Sequence, residues 1–579
     1  MKKFLPFFLM MFAATSFTFA QTVIFSDNFD TYTAGSHLAE SNPAWTTWNN
    51  DPGSAEDGVI SNAQAASAPN SLYIAGTTDQ LYLTNIHNVK SGHYQITFNM
   101  FVPDGSAAYF NLMHSYFPNI WAYQCDFYAD GTGQLYVNND SVTFTYPVNT
   151  WFPVLMDFDL DQDITHLTIN NTVVNTWPFH FESFNTSSDS NIKYIAALDF
   201  YSLTVWNIPC AYYIDDLVFS DLCGEFNISQ ESIVFFNAPD STISQNITLS
   251  SVGNYGTNWQ TLVTYNIPNP DTTSTGAEVL THCSDNPNRV TGDFVGEHEY
   301  AVKIPASMLQ NHIGKTLRGI SVGTLAEVSS AKVRICGMGN PLLTEEPGEV
   351  IYEQNFNPAD GYVALDTQIV IDGSDFWIDV WYFQVNSGTS ILYDSLPDKG
   401  YSYWKSPIYN SHVSDIWLKF DRNLAIAAIV DGTPITPWLS VNPEEGTIDG
   451  GENVDQVVTV NSYGMQIGDN YTAKLHYYST DFNHFEQIVP VFLNVTGVSV
   501  NEHNQIEVSL YPNPATDHLQ IVSDEIQRVE VYNLLGQCVF SQAYNDTHVI
   551  IPTTDLTPGT YAVTVTTRNN RVTKKVVIR

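Results

Sequence analysis

The sequence predicts an all-β protein made of several β-sandwiches. Three observations point there. Aromatic residues make up 13% of the chain and charged residues only 14%, and Phe, Tyr, Trp, Thr, Val and Asn outweigh the residues that favour helices. Several segments alternate apolar and polar residues with period two, clearest in Tyr94-Gln95-Ile96-Thr97-Phe98-Asn99-Met100. Turn-forming Asn, Asp, Gly and Pro punctuate these segments at short intervals. At 579 residues the chain exceeds what one hydrophobic core organises, so three to five domains are expected.

The first twenty residues read as a secretory signal. Lys2 and Lys3 precede the apolar run Phe4–Ala14, and small residues follow to Ala20, so cleavage would leave Gln21 first. No other stretch approaches the roughly 20 apolar residues of a membrane span. Export would place the six cysteines in an oxidising compartment. None forms a Cys-x-x-Cys pair, 15 pairings are open, and Cys283 with Cys336 is the one bridge suggested by proximity in a domain. The formal charge of −40 opposes binding to nucleic acid or anionic membranes.

Residues 21–222 form the first sandwich. Val154, Met156, Phe158 and Leu160 alternate up to the turn Asp161-Gln162-Asp163, Leu167 and Ile169 follow, and Asn170-Asn171 marks the next turn. Asp27-Asn28-Phe29-Asp30-Thr31-Tyr32, Trp45-Thr46-Thr47-Trp48, Glu56-Asp57, Asn70-Ser71-Leu72, Gly92-His93-Tyr94 and the closing Tyr213-Ile214-Asp215-Asp216-Leu217 occur in order. This arrangement resembles the lectin-like, concanavalin-type jelly rolls of bacterial surface proteins. The resemblance implies that the first and last strands lie side by side and that Asp27, Asp30, Asp215 and Asp216 gather around Ca2+, a cation that takes hard oxygen ligands.

Residues 226–266 and 433–497 resemble the two halves of a small Ig-like domain, split by an insertion over 272–431. The insert resembles adhesin-associated β-domains. Ala331–Ile335 alternates within it, and Pro305–His312 has helical spacing. A polar linker over 498–504 leads to residues 505–579. There Leu510-Tyr511-Pro512-Asn513-Pro514-Ala515 is followed by Val529-Glu530-Val531-Tyr532-Asn533-Leu534-Leu535-Gly536-Gln537, then by Pro558-Gly559-Thr560-Tyr561 and by Lys574-Lys575-Val576-Val577-Ile578-Arg579. Order and spacing resemble the type A sorting domain of type IX secretion. That implies the type IX machinery as a partner and a secreted or cell-surface destination.

Catalytic signatures are missing. There is no His-Glu-x-x-His, Gly-x-Ser-x-Gly, Walker loop or dinucleotide fingerprint. Asp157, Asp159, Asp161 and Asp163 are spaced by two, but Met156, Phe158 and Leu160 occupy the alternate face, so these acids read as the solvated side of a strand. Trp45, Trp48, Trp121 and Tyr123 stand in loop-like or turn-flanked stretches and are the aromatics expected to meet a ligand, since sugars and protein partners both pack on exposed rings. The sequence thus predicts a binding protein and not an enzyme, with a glycan or a host or cell-surface protein as ligand. A structural spacer and a glycan hydrolase in the first sandwich are the alternatives.

Overall fold

A computed structural model describes residues 22–84, 89–116, 119–184, 194–202, 204–205, 208–284, 287–293, 295–323, 328–405, 417–497, 508–533, 536–567 and 571–579. The expected signal segment, the expected linker over 498–504 and Leu534–Leu535 fall outside these residues. The protein is nearly all β, organised as multiple sheets that form sandwiches. The one α-helix among the described residues is Ala306–Leu309, within the stretch whose spacing is helical.

Two large sheets occupy residues 22–221, beside a two-stranded one of Thr204–Val205 and Ile208–Pro209. The first orders strands Thr172–Trp177, Ile164–Ile169, Phe152–Asp159, His93–Phe101, Ala211–Asp221, Ser71–Ala75 and Val59–Ser61, with Thr22–Asp27 also pairing with Ala211–Asp221. The second orders Asp140–Thr145, Thr132–Val137, Ile120–Phe127, Ala108–Ser115, Ala197–Tyr201, Asp79–Leu83 and Trp45–Thr47. Alternation sends one side of each strand inward. Tyr94, Ile96, Phe98 and Met100 are all buried, and Phe98 meets Phe110 and Phe200 of the opposite sheet edge-on at 5.4 and 5.3 Å. The hairpins turn on Asn138-Asn139 and Asn170-Asn171, each pair with positive φ, as a two-residue hairpin loop of type I′ requires. The first strand runs antiparallel to the last, with Asp27 opposite Leu217.

Segments 225–265 and 439–495 share two sheets. One orders Glu225–Ile228, Thr242–Val252, Asn453–Asn461 and Leu439–Asn442. The other orders Ile233–Asn237, Glu486–Val495, Asn470–Ser479, Thr257–Tyr265 and Glu445–Ile448. The residues between them build further sheets, the largest ordering Val350–Phe356, Val328–Cys336, Phe376–Gln384, Gly296–Ile304, Ser402–Lys405 and Leu418–Lys419. None of the six cysteines is in a disulfide, which corrects the suggested Cys283–Cys336 bridge. Cys336 faces Ala301, Trp377 and Tyr403 on the large sheet, whereas Cys283 follows strand Glu278–Thr281 of a different sheet.

Residues 509–578 form their own five-stranded sheet, in which His518–Tyr532 pairs with Ser509–Tyr511, Cys538–Pro552 and Gly559–Thr566, and Arg571–Ile578 lies outside Gly559–Thr566. Pro512, Asn513 and Pro514 are exposed, yet the Asn513 side chain holds the final strand. Its amide donates to Lys575 O at 3.1 Å and its oxygen accepts from Val577 N at 2.8 Å. Ala515 and Arg579 complete the seam through backbone bonds at 2.8 and 2.9 Å. Asn533 closes the turn at Gly536 by accepting from Gln537 N, and the buried Tyr561 donates to Thr557 O just before Gly559. Lys574 is exposed and Lys575 half-buried. Replacing Asn513 with Ala removes two bonds from the edge strand and is expected to cost about 1–3 kcal/mol locally. Hydrogen exchange should then quicken over residues 571–579 with little change elsewhere.

Candidate functional site

The seven-stranded sheet of the first sandwich turns one face to the core and the other outward. On strand Ala197–Tyr201, Leu198 and Phe200 enter the core, so Asp199 faces out. On Asp79–Leu83, Tyr82 faces in, and Asp79 and Leu81 face out. These strands are antiparallel with Tyr201 opposite Asp79 and Leu81 opposite Asp199, which makes the two aspartates diagonal neighbours on one face. Asn111, on the adjoining strand, donates to Asp199 Oδ2 at 2.5 Å and to the Tyr109 hydroxyl at 3.1 Å. Tyr109 in turn donates to Gln124 at 2.6 Å.

This polar cluster is buried but not satisfied. Asp199 is 3% exposed and Asn111 1%. The Oδ1 atoms of Asp79, Asp199 and Asn111 receive no donor from any other described group. Asp79 and Asp199 bond to each other, and two carboxyl groups do so only when one carries a proton. Burial is the main cause that lifts Asp79 to about 6, with the field of Glu56 adding to it, while burial and Asp79 together hold Asp199 well above the carboxylate range.

An aromatic platform adjoins the pair. Trp48 and Trp121 are half-buried, with parallel rings 6.5 Å apart, and Tyr116 meets Trp48 edge-on at 5.7 Å while its hydroxyl bonds to Trp48 O. All three rest on Leu81, Met113 and Ala197. The loop between Thr47 and Val59 ties platform to acids: Trp48 N donates to Asp79 O at 3.1 Å, and Asp79 N donates to Glu56 O at 2.8 Å. Glu56 is held by the backbone and side-chain amides of Asn49. Toward the far edge of the sheet lies a groove of about 620 Å³ lined by Tyr128, Asp130, Gln134, Thr143, Val205 and Ile208. Gln134 and Thr143 belong to the outer face, because Leu135 and Phe144 beside them point into the core.

Two of the four aromatics expected to meet a ligand are core residues instead. Trp45 is 1% exposed and packs between Phe29, Tyr82 and Phe200. Tyr123 is fully buried and meets Trp177 edge-on at 5.2 Å. Trp121 and Tyr123 would share a face on a regular strand. A bulge at Ala122, where Leu112 pairs with Tyr123 but Met113 with Trp121, turns Trp121 outward and leaves Tyr123 inside.

The four aspartates expected to hold calcium do not fit a cation. Asp27 accepts from Phe29 N, Tyr32 Oη, Asn42 Nδ2 and Trp45 Nε1 at 2.8–3.2 Å. Asp30 accepts from Asn28 and Asn70, Asp215 from the amides of Ala66, Ser67 and Asp216, and Asp216 from Ser67 Oγ and Asn99. Donors whose hydrogens already point at these oxygens oppose a metal there, and among the described residues no three His, Cys, Asp or Glu side chains gather as ligands. The acids at 157–163 each have separate partners: Asp157 bonds to His93 at 2.8 Å and to Gln95, Asp159 accepts from Gln162 N, Asp161 from Gly92 N and Ser91 Oγ, and Asp163 bonds to His180.

Residues 509–579 match the family model described as a secretion system C-terminal sorting domain. The chain is therefore a type IX secretion substrate, secreted or attached at the cell surface. It is 36% identical over 83 residues to the ulvan lyase NLR42 of Nonlabens ulvanivorans, a stretch that is 14% of this chain and 16% of that protein. The chain thus matches about a sixth of that relative's length. Among solved structures it is similar to the catalytic domain of a glycoside hydrolase family 131 protein from Coprinopsis cinerea (14% identity, 34% of this chain and 94% of that one, TM-score 0.25). It is also similar to a sialidase (9% identity, 35% and 19%, TM-score 0.23). At these scores neither likeness bears on function.

Because both pair members hold protons that the unfolded chain releases above its ordinary carboxylate pKa, their contribution to stability is complete below about pH 4. It is lost as pH rises through about 6 and beyond. Asp199→Asn keeps the shape without the charge. Its melting temperature at pH 7–8 should exceed that of the parent, and the difference should shrink toward pH 4. In contrast, Asp27→Ala strands four donors and is expected to destabilise the first sandwich by about 3 kcal/mol, with melting unaffected by calcium or chelator in either protein.

Proposed function

We propose that the protein is an exported glycan-binding protein whose ligand lies across the outer face of the seven-stranded sheet. One observation supports this reading above the others: the half-exposed Trp48, Trp121 and Tyr116 adjoin a buried polar cluster in which Asn111 Oδ1 has no hydrogen-bond donor among the described residues. A sugar ring offers an apolar C–H face to an aromatic ring and hydroxyls at its edge, so a site for it needs both components side by side. Protein partners also favour Trp and Tyr, but rings set beside a polar cluster with an unused acceptor suit a ligand rich in hydroxyl groups. The spacer reading has no use for acceptors left unpaired at a cost to stability.

The test is affinity of the full chain for an array of glycans and host or cell-surface proteins. Trp48→Ala and Trp121→Ala should each weaken glycan binding about tenfold, in line with loss of one aromatic anchor, with melting little changed. Full affinity in both folded variants would remove the platform from the site.

A further inference from the structure

The charge of the first sandwich narrows its ligand. Residues 22–222 contain two basic side chains, Lys90 and Lys193, and no arginine. Lys90 pairs with Glu345 at 2.6 Å. The outer face instead carries Glu56, Asp79, Asp126, Asp130 and Asp199. A glycan rich in sulfate or uronate would meet these acids with almost no countercharge, so the ligand class that fits is a neutral polysaccharide.

The same face has the parts for hydrolysis. We propose that it cleaves the neutral glycan it binds: Asp79, paired with Asp199, gives a proton to the glycosidic oxygen while Glu56 takes one from the attacking water. This rests on the glycan-binding reading. Asp79 and Glu56 are both partly exposed, whereas Asp199 is sealed beneath. Asp79 is thus the pair member within reach of a substrate and Asp199 is a positioning residue that keeps a proton in the pair. The Oδ1 of Asn111, buried beside them, has no hydrogen-bond donor among the described residues.

In the step itself the C1–O bond to the leaving sugar breaks as its oxygen takes the pair's proton. Water forms the new C1–O bond and passes its proton to the Glu56 carboxylate. Return of that proton to the pair through solvent restores the starting state, and the net reaction is glycoside plus water to two sugars. The platform of Trp48, Trp121 and Tyr116 would hold the ring next to the acids, and the groove beside Gln134 and Thr143 would take the continuing chain. Around Asp79 the titratable groups facing the pair are Glu56, Tyr116 and Tyr201, with Tyr109 and Asp126 beyond Asn111. Burial and the neighbouring acids raise the three tyrosines, so they stay neutral where an enzyme of this kind works.

The experiment incubates the full chain with neutral polysaccharides (β-1,3- and β-1,4-glucans, xylan and mannan) and with sulfated and uronate-rich ones, from pH 4 to 8. Binding and release of reducing ends are measured separately. Reducing ends are expected from at least one neutral substrate. Asp79→Asn and Glu56→Gln should each lower the rate at least about 100-fold while binding stays within threefold. Asp199→Asn should lower kcat without raising KM and move the alkaline limb of the pH profile to lower pH, which a merely structural residue would not do. Binding without release at any pH, or release undiminished in Asp79→Asn, overturns the hydrolytic proposal and leaves the binding one standing. Failure to bind any glycan overturns the binding reading, and a preference for the charged polysaccharides overturns the assignment of a neutral ligand.

Discussion

The carboxylate of Asp27 is the constraint on which the first sandwich depends. It sits at the end of the first strand, 8% exposed, and takes hydrogen bonds from Phe29, Tyr32, Asn42 and Trp45. A buried charge is tolerable only when so surrounded. The consequence is geometric. The first strand pairs with the last in one sheet, and the Trp45 indole begins the edge strand of the other, so one carboxylate links the two sheets. Three residues past Trp45 comes Trp48, and the loop that continues from it carries Glu56. The link that closes the sandwich therefore also fixes where the outer-face loop begins, and with it the platform and one acid of the proposed site.

The Asp79–Asp199 pair is the opposite kind of buried charge. Asp27 is saturated by donors, whereas the pair satisfies its facing oxygens only by keeping a proton. Such an arrangement works against folding at neutral pH, and so does the smaller penalty at Asp215, which burial raises to about 6 despite amide donors at Ala66 and Ser67. The two cases differ in what the cost obtains. Asp215 ties the 64–67 loop to the last strand, a structural return. The pair ties down nothing that an Asn–Asp couple would not hold equally well. Retaining two carboxyls where one would serve the fold is understandable if their proton has a use.

Much of the fold was legible because it rests on local pattern. The alternation at 94–100 became strand His93–Phe101 with Tyr94, Ile96, Phe98 and Met100 buried and Gln95, Thr97 and Asn99 half-buried, and Asn170-Asn171 became a turn with both residues at positive φ. The sorting domain was legible because its motifs are contiguous and their order is fixed. The site was mostly not. In Ala197-Leu198-Asp199-Phe200-Tyr201 the acid looks like the solvated member of a half-buried strand, identical in pattern to Asp157 between Met156 and Phe158. What separates them is not local: Asp199 is covered by side chains from strands 80 to 120 residues away, while Asp157 meets His93 near the surface. Trp121 and Tyr123 show the same limit in reverse. Period two assigns them one face, and a single-residue bulge, which has no signature in the sequence here, separates them.

The charge balance joins these levels. A chain with 61 acids and 21 bases remains soluble and repels polyanions, but it cannot rely on ion pairs to hold an anionic ligand. In the first sandwich, where arginine is absent altogether, affinity has to come from contacts that need no opposite charge. Those are aromatic faces and hydrogen bonds to acceptors, and they are what the outer face offers. Acids that would otherwise be solvated acquire raised proton affinity once buried, because burial removes water from the carboxyl. Platform and acids share one loop: Trp48 N donates to Asp79 O and Asp79 N to Glu56 O, so the backbone bonds that seat the rings also seat the acids.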